Sequence, residues 1–410
     1  MTRLNRRIPA ATAVLAVLVL LCFQPQIDSD TAVYWSWFSI FYDGDLNPGN
    51  QYFPVLGSWA RVYLSHPTDT GYFPIVFPLG PALSWLPGLI LGEVAAAGVD
   101  AMTHGAIPAI HDGFDWIARS GGLLMSAVWI LAGIALLRSW LRQWFSPRIT
   151  EHALLAIIFG TPLVFYGCFN PGFSHALEFF VLSWFCAVFA RKKPLQLTPV
   201  QTVLAGMAAV AILYTRLQDA GWSVVPWLMI ITDMHHRGIR RCMPYCRATA
   251  QFGIGALIAF IPQFYLWFTV HHSILPPYPA SYFLYIPIHA FRVLFSLKRG
   301  VFTWSPVLLI ALPGLFLAPR SLRRRLGAAA IGVLYVTFMS ASVSDWWGGG
   351  CFGARRFVGS LPLFAAALAA MFHHVSHRVR PATRTSARII MGLTCLAVIW
   401  NLVLMIIYIE

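Results

Sequence analysis

Long apolar runs separated by short charged or histidine-containing stretches dominate the sequence. Most of these runs hold the roughly 20 residues that a helix needs to cross a bilayer at about 1.5 Å per residue. The pattern therefore predicts an all-α polytopic membrane protein. The apolar runs that predict eleven transmembrane helices cover residues 8–24, 120–137, 153–169, 176–190, 194–215, 220–232, 248–270, 300–319, 326–344, 357–372 and 389–409.

One further run, 70–92, contains four prolines, Pro74, Pro78, Pro81 and Pro87. Proline interrupts helical hydrogen bonding, but a broken helix buried by its neighbours is tolerated at membrane depth. If this run crossed completely, it would be a twelfth span and would move the basic residues between 138 and 148 to the outer side. A re-entrant or interfacial segment keeps them inside, so we favour eleven spans.

Charged residues are few, and the basic ones cluster in short stretches of the sequence. Only 11% of the residues are charged and 58% are hydrophobic, which excludes a soluble globular domain, and the net charge is +14. Such an excess would suggest nucleic acid in a soluble protein, but here 21 of the 29 basic residues lie in clusters between apolar runs. Lys and Arg concentrate in cytoplasmic loops, so these clusters predict the inner face and no nucleic-acid partner. The six clusters are Arg3, Arg6, Arg7; Arg138, Arg142, Arg148; Arg191, Lys192, Lys193; Arg237, Arg240, Arg241, Arg247; Arg320, Arg323, Arg324, Arg325; and Arg378, Arg380, Arg384, Arg388.

The outer face is predicted to carry a long first loop, residues 25–118, with interfacial and re-entrant helices. Nine of the 15 acidic residues lie between 28 and 115, so this loop is acidic. The first run lacks a small-residue cleavage site before Gln26, and we interpret it as an uncleaved anchor with an inner amino terminus. Residues 1–410 are expected to form a single integral membrane domain without a soluble domain, and the seven scattered cysteines indicate no disulfide framework.

Acidic residues follow the first run. Asp28 and Asp30 come directly after it, and an aromatic stretch typical of the membrane interface separates them from Asp43 and Asp45. A carboxylate at the mouth of a span is placed to act as general base toward a lipid-borne substrate. The alternative is that these residues only cap an interfacial helix, with Asp30 at its N-cap.

Two further groups carry ionisable residues at the outer ends of spans. Arg216 and Asp219 precede a short apolar run, and charged groups drawn into a membrane are candidates for function unless they form a structural ion pair. His175 and Glu178 share a helix face after Ser174, which predicts a polar lining for an external cavity or a satisfied polar turn.

Arg355 and Arg356 follow a glycine-rich turn that begins at Asp345 and includes Trp346. Glycines let backbone amides approach an anion, and arginines bind phosphate through two parallel hydrogen bonds. Because arginines at the outer face break the charge rule, we predict an anion site here. Arg299, beside Lys298, is a weaker candidate of the same kind.

In these features the chain resembles the membrane-embedded glycosyltransferases with the C-type fold, in a bacterial branch related to protein mannosyltransferases and to aminoarabinose and lipid-sugar transferases. The resemblance covers about residues 8–372 and rests on the order and spacing of several short motifs. These are Ser29-Asp30 with Tyr34, Asp43–Leu46, Asn50–Tyr52, Phe77–Pro81 with Trp85 and Pro87, Ser174-His175, Thr215–Gln218, Arg299–Pro306, and Trp346–Gly349 with Phe352–Arg356.

The resemblance implies a polyprenyl-phosphate sugar donor, transfer on the extracytoplasmic face and a first-loop aspartate as base, matched here by Asp30. The chain departs from the family in two ways. Many relatives have Asp-Glu where this chain has Asp30-Thr31, which leaves Asp28 as a second candidate for the base, and the expected lack of a soluble carboxyl-terminal domain leaves the acceptor open.

We therefore expect an inverting glycosyltransferase in a bacterial inner or plasma membrane. Asp30 would be its base, and the donor phosphate would bind Arg216, Arg355, Arg356 and Arg299. Asp43, Asp45, His175, Glu178, Asp219 and Trp346 would line the cavity. No cofactor is expected with a monophosphate donor, whereas a diphosphate donor would need a divalent metal bound through Asp28, Asp30 and Asp43. The alternative is a transporter of lipid-linked or sugar substrates.

Overall fold

The computed structural model describes residues 10–27, 29–47, 67–109, 113–191, 197–228, 242–275, 282–377 and 381–409. Within these ranges the regular structure is helical, and the isolated bridge between Phe283 and Val343 is the only β pairing. In chain order the α-helices are α1 (Ala10–Cys22), α2 (Ser29–Trp35), α3 (Ser39–Tyr42), α4 (Gly80–Met102), α5 (Trp116–Leu141), α6 (Pro147–Phe159), α7 (Leu163–Cys168), α8 (His175–Arg191), α9 (Pro199–Thr215), α10 (Cys242–His271), α11 (Ala290–Phe295), α12 (Val301–Trp304), α13 (Pro306–Ala311), α14 (Gly314–Leu317), α15 (Arg320–Ala341), α16 (Leu361–His377) and α17 (Pro381–Ile409). Within the described residues, 3-10 helices cover Ser36–Phe38, Leu217–Val224 and Arg355–Ser360.

Five helical segments in these ranges are long and apolar enough to cross a membrane: Gly80–Met102, Trp116–Leu141, Met243–His271, Arg355–Ser376 and Thr385–Ile409. Three shorter apolar helical segments are His175–Val188, Pro199–Thr215 and Pro306–Leu317. The all-α class is confirmed, while the number of spans stays a prediction.

Two predicted spans are interrupted where the sequence breaks helical hydrogen bonding. The run 153–169 divides between α6 and α7 at Gly160-Thr161-Pro162, and the run 300–319 divides into α12, α13 and α14. Pro306 begins the second piece and Pro313 directly precedes the third, since proline lacks the N–H that would continue the preceding helix. These segments are therefore broken helices rather than single straight spans.

The proline-containing segment also differs from its predicted bounds. Its helix, α4, begins at Gly80 rather than at residue 70 and continues through Pro87 to Met102. It starts inside the bundle, where Gly80 packs directly against the backbone of Tyr214. Gly88 and Gly92 then allow close contact with Gly121 and Ala118 of α5, the small-residue packing typical of membrane helices.

The beginning of α1 and the end of α5 lie at the same end of the bundle. Arg138 Nη2 donates to Thr12 Oγ1 over 3.1 Å, and Arg138 Nε lies 2.8 Å from Glu151 Oε1. The chain therefore crosses the membrane an even number of times between Thr12 and Arg138. If α4 crossed completely, one more crossing would be needed between these two residues to keep the number even. Arg325, over the ring of Trp144 at 5.9 Å, places the 320–325 cluster at this end as well.

Candidate active site

Most of the predicted site residues meet at the opposite end of the bundle from these basic clusters. Four parts of the chain converge there: the start of α2, the turn before α8, the end of α9, and the loop from Asp345 into the 3-10 helix Arg355–Ser360. Most of the side chains that meet at this end are charged and buried. Because burying charge is costly without partners, each contact at this end is informative.

Asp30 and Arg355 form the central ion pair. Asp30 lies in the first turn of α2, and Arg355 opens the 3-10 helix before α16. Arg355 Nη1 lies 2.5 Å from Asp30 Oδ2, and the two side chains are only 11% and 13% exposed. The guanidinium of Arg355 also stacks over Phe173, 5.1 Å from the ring centroid.

Each residue of this pair has a polar side-chain atom that the ion pair does not use. Arg355 Nε is buried and has no partner among the described residues. The ion pair uses Oδ2 of Asp30 and leaves the second oxygen, Oδ1, outside it. The pair therefore offers an N–H donor without a partner for an anion and a carboxylate oxygen outside the ion pair for a proton.

Arg216 approaches the same place from the end of α9. The helix ends here because Arg216 adopts extended backbone angles, φ −158° and ψ 129°. Its Nη1 lies 3.2 Å from His175 Nε2 and 3.4 Å from Ser174 Oγ, and its Nη2 donates to Gln218 Oε1 over 3.3 Å.

Tyr34 completes this corner of the site. The hydroxyl of Tyr34 donates to Ser174 Oγ over 3.1 Å. Burial raises the pKa of Tyr34 to about 12, and the nearby Arg216 only partly opposes this rise. Tyr34 therefore stays a protonated hydrogen-bond donor at neutral pH.

His175, Glu178 and Asp219 lie behind Arg216 and do not line an open cavity. Each side chain is fully buried, which differs from the cavity-lining role predicted for them. Glu178 Oε2 lies 2.7 Å from His175 Nδ1, and its Oε1 accepts from the Gly359 amide over 2.6 Å. Their arrangement supports Arg216 instead of facing a substrate.

Asp219 lies beside Glu178 in the 3-10 helix that follows α9. Burial raises the pKa of Asp219 to about 7, while the charge of Arg216 and the contact with Glu178 lower it. Near neutral pH, Asp219 therefore exchanges a proton in the folded protein.

Arg356 faces a different set of partners from its neighbour. Its Nη2 lies 2.8 Å from Asp345 Oδ1 and 3.1 Å from the Tyr282 hydroxyl, and Arg356 is 7% exposed. Burial raises the pKa of Tyr282 to about 12, so Tyr282 remains protonated. The contacts of Arg356 thus tie the 345–356 loop to the segment that contains Tyr282.

A surface cavity opens beside the two arginines. Arg299, Trp346, Trp347 and Gly348 line it together with Arg355 and Arg356. Gly348 and Gly349 adopt positive φ angles of 81° and 70°, which bend the loop around Arg355. Arg299 and Trp346 therefore lie next to the predicted anion site.

Two acidic residues predicted for the site lie away from this cluster. Asp43 and Asp45 lie in an exposed turn after α3, where Asp45 Oδ1 accepts from the Asn47 amide over 2.9 Å. Asp28 lies outside the described residues. Among the residues that the structure describes, no group of three or more His, Cys, Asp or Glu side chains has metal-site geometry. The metal-free reaction stays a prediction.

Three contact residues were missed by the sequence reasoning. Tyr282 holds Arg356, Phe173 packs under Arg355, and the Gly359 amide binds Glu178. Phe173 adjoins the Ser174-His175 motif, so its position was a usable signal. Tyr282 and Gly359 act through tertiary contacts that no local spacing reveals.

No protein-family model matches the chain, and no curated protein matches it. The fold is that of the C-type membrane glycosyltransferases, as the sequence resemblance predicted. Specifically, the structure is similar to the crystal structure of ArnT from Cupriavidus metallidurans bound to undecaprenyl phosphate, with a TM-score of 0.51 and 16% identity. The similarity covers 93% of this chain and 62% of the ArnT chain, so this chain spans a little under two thirds of the length of ArnT.

Proposed function

We propose that the chain is a glycosyltransferase that moves a sugar from a polyprenyl-phosphate donor to an acceptor on the extracytoplasmic face of a bacterial inner or plasma membrane. The observation that carries the proposal is the buried Asp30–Arg355 pair beside Arg216, in a fold similar to that of a protein crystallised with undecaprenyl phosphate. The pair joins an acid–base group to a phosphate-binding group.

The donor phosphate binds Arg355 and Arg216 in this proposal. The buried Nε atom of Arg355 has no hydrogen-bond partner among the residues described, whereas Arg216 Nε faces Glu178 Oε2 at 4.0 Å. A guanidinium binds phosphate through two parallel N–H···O hydrogen bonds to two of its oxygens, and Arg355 Nε is free to donate one of them. Arg299 contributes charge from the rim of the cavity, and Arg356 holds the loop in place through Asp345.

Asp30 acts as general base through its Oδ1 oxygen. As the acceptor O–H or N–H loses its proton to Asp30, the acceptor atom bonds to the anomeric carbon of the sugar. The bond from that carbon to the phosphate oxygen breaks at the same time, and the electron pair leaves with the polyprenyl phosphate. A single displacement inverts the anomeric centre.

Arg355 and Arg216 stabilise the negative charge that develops on the leaving phosphate. A phosphate monoester is a weakly basic leaving group, so the step needs no strong general acid. The reaction as proposed draws only on these side chains and needs no cofactor. Arg355 also holds the Asp30 side chain in place through their ion pair.

A complementation experiment tests the proposal. A strain that lacks the gene is compared with the same strain carrying the parent or the Asp30→Asn variant, and its glycolipids and glycans are profiled by mass spectrometry. We expect the parent to restore a sugar-modified species that Asp30→Asn does not restore. Asp43→Asn, in an exposed turn, is the matched control and should restore it. An unchanged profile on gene loss would contradict the proposed function.

A further inference from the structure

The buried residues behind Arg216 form an ordered chain of contacts that the proposed reaction does not itself use. Glu178 contacts His175, and His175 contacts Arg216 through its other ring nitrogen. Glu178 Oε2 also lies 4.0 Å from Arg216 Nε, so the carboxylate acts on Arg216 directly as well as through His175. All atoms of Glu178 and His175 are shielded from solvent. Ionisable groups at a membrane end are retained against a large desolvation cost, which makes them candidates for a functional role.

The hydrogen-bond partners define the protonation of His175. Arg216 has only N–H donors, so the ring nitrogen that faces it, Nε2, must be the acceptor. The proton of the neutral ring then lies on Nδ1 and is donated to Glu178 Oε2 over 2.7 Å. Glu178 thereby selects the tautomer of His175 that accepts a hydrogen bond from Arg216.

Packing holds the side chains of His175 and Glu178 in these orientations. The His175 ring lies between Tyr166 and Phe173, with ring centroids 4.5 Å and 6.0 Å away. The Gly359 amide occupies the other Glu178 oxygen, Oε1, and a Cβ at position 359 would come within 2.6 Å of that atom. Neither side chain can turn away without losing a buried contact.

We infer that Glu178 and His175 are a positioning pair that orients the Arg216 guanidinium toward the substrate phosphate. The inference rests on the proposed function, because it assumes that Arg216 binds this phosphate. Without the Glu178 carboxylate, the N–H at Nδ1 of His175 would lose its acceptor, and the ring proton would be free to move to Nε2. The N–H groups of His175 and Arg216 would then face each other, and neither could accept a hydrogen bond.

The first test measures the affinity of the purified protein for undecaprenyl phosphate, with melting temperature as a check of folding. The Gln side chain in Glu178→Gln has one oxygen, which cannot accept from both His175 Nδ1 and the Gly359 amide. Arg216 should therefore lose its alignment. The Kd should rise about tenfold, which corresponds to the loss of one hydrogen bond to a charged group. The matched control is Glu151→Gln, which removes a carboxylate paired with Arg138 at the far end of the bundle and should leave the Kd unchanged.

A double-mutant cycle separates positioning from general destabilisation. Arg216→Ala should weaken undecaprenyl phosphate binding, and adding Glu178→Gln to Arg216→Ala should change the Kd by less than about twofold. If the two effects instead multiply, Glu178 does not act through Arg216 and the inference is overturned. It is also overturned if Glu178→Gln matches the parent.

A second pair of variants decides the matter if Glu178→Gln does not fold. His175→Gln keeps an oxygen that can accept from Arg216, whereas His175→Leu has a similar size and no acceptor. The Gln variant should retain most of the affinity and the Leu variant should lose it, at comparable melting temperatures. Equal affinities for the two variants would contradict the positioning role.

The outcomes also separate the inference from the function on which it rests. If Arg216→Ala leaves the Kd unchanged while sugar transfer persists in the parent, the positioning role is wrong and the transferase proposal stands. A parent protein that neither binds undecaprenyl phosphate nor transfers a sugar would overturn both.

Discussion

Arg355 Nη1 lies 2.5 Å from Asp30 Oδ2, so an ion pair joins two residues that are 325 positions apart in the sequence. The contact connects the first turn of α2 with the 3-10 helix before α16. Both side chains are mostly buried, and removing one charge leaves the other without its partner. Such a loss typically costs about 3–5 kcal/mol of stability. Activity changes at either position therefore have to be measured together with folding.

Asp30→Asn should abolish most of the transfer activity. The amide keeps the size of the side chain but cannot take the acceptor proton, so the transfer rate should fall by roughly 10²–10⁴-fold. The rate is measured with a radiolabelled polyprenyl-phosphate sugar on protein in detergent, beside the melting temperature of each variant. Asp43→Asn should match the parent. Near-normal transfer by Asp30→Asn would move the base to Asp28.

Arg355 and Arg356 should respond differently to replacement by lysine. Lysine keeps the charge but cannot form the two parallel hydrogen bonds to a phosphate, so Arg355→Lys should raise the KM for the donor by about tenfold or more. Arg356 already binds Asp345 and Tyr282, and Arg356→Lys should change this KM by less than about twofold. The measurement is the initial rate against donor concentration.

The lysine variants also test which arginines form the phosphate site. If both variants match the parent at every donor concentration, the two arginines are structural. The site would then lie at Arg216 and the Lys298-Arg299 pair.

Several residues that meet at this site were predicted from the sequence, but the contacts between them were not. Asp30, Arg216 and Arg355 stand out in the sequence because each is charged next to an apolar run that should exclude charge. Their mutual contacts depend on how α2, α9 and the 345–356 loop pack, and this packing has no sequence period. The same reason explains His175 and Glu178: their shared helix face was correctly predicted, whereas their burial behind Arg216 depends on Gly359 in a distant segment.

Local signals account for some observed helix bounds that the predicted runs did not give. Asp115 caps α5 by accepting from the Ile117 amide over 2.8 Å, and proline residues divide the run 300–319. The position of α4 did not follow, because Pro87 lies inside a helix that α5 supports through glycine contacts. Tertiary packing overrode the local preference at this point.

Cysteine labelling should place the two ends of the bundle on opposite sides of the membrane. Gln143 is exposed near Trp144, at the end shared with Arg325, and Gly350 is exposed beside the candidate site. In a background without the native cysteines, a membrane-impermeant maleimide should label Gly350→Cys in intact cells. It should label Gln143→Cys only after the membrane is opened. Labelling of Gln143→Cys from outside would place the end that holds Thr12, Arg138 and Arg325 on the outer side, and it would contradict the predicted orientation of the spans.

Asp219 should make the stability of the protein depend on pH near neutrality. Burial raises its pKa from the ordinary 3.8 to about 7, so the folded protein holds a proton that the unfolded chain releases between these values. The stabilising contribution is complete below the unfolded pKa and is lost as the pH rises through the folded pKa.

Glu178 and Arg216 surround the carboxyl, and Asn at position 219 has a similar shape but cannot ionise. The melting temperature of the parent relative to Asp219→Asn should therefore fall as the pH is raised from about 5 to about 8, and it should level off above that range. Thermal unfolding of both proteins in the same detergent measures the difference, with Asp43→Asn as the control for loss of one carboxylate. A difference that rises with pH would mean that Asp219 is held as a carboxylate by Arg216, with the opposite sign of pKa shift.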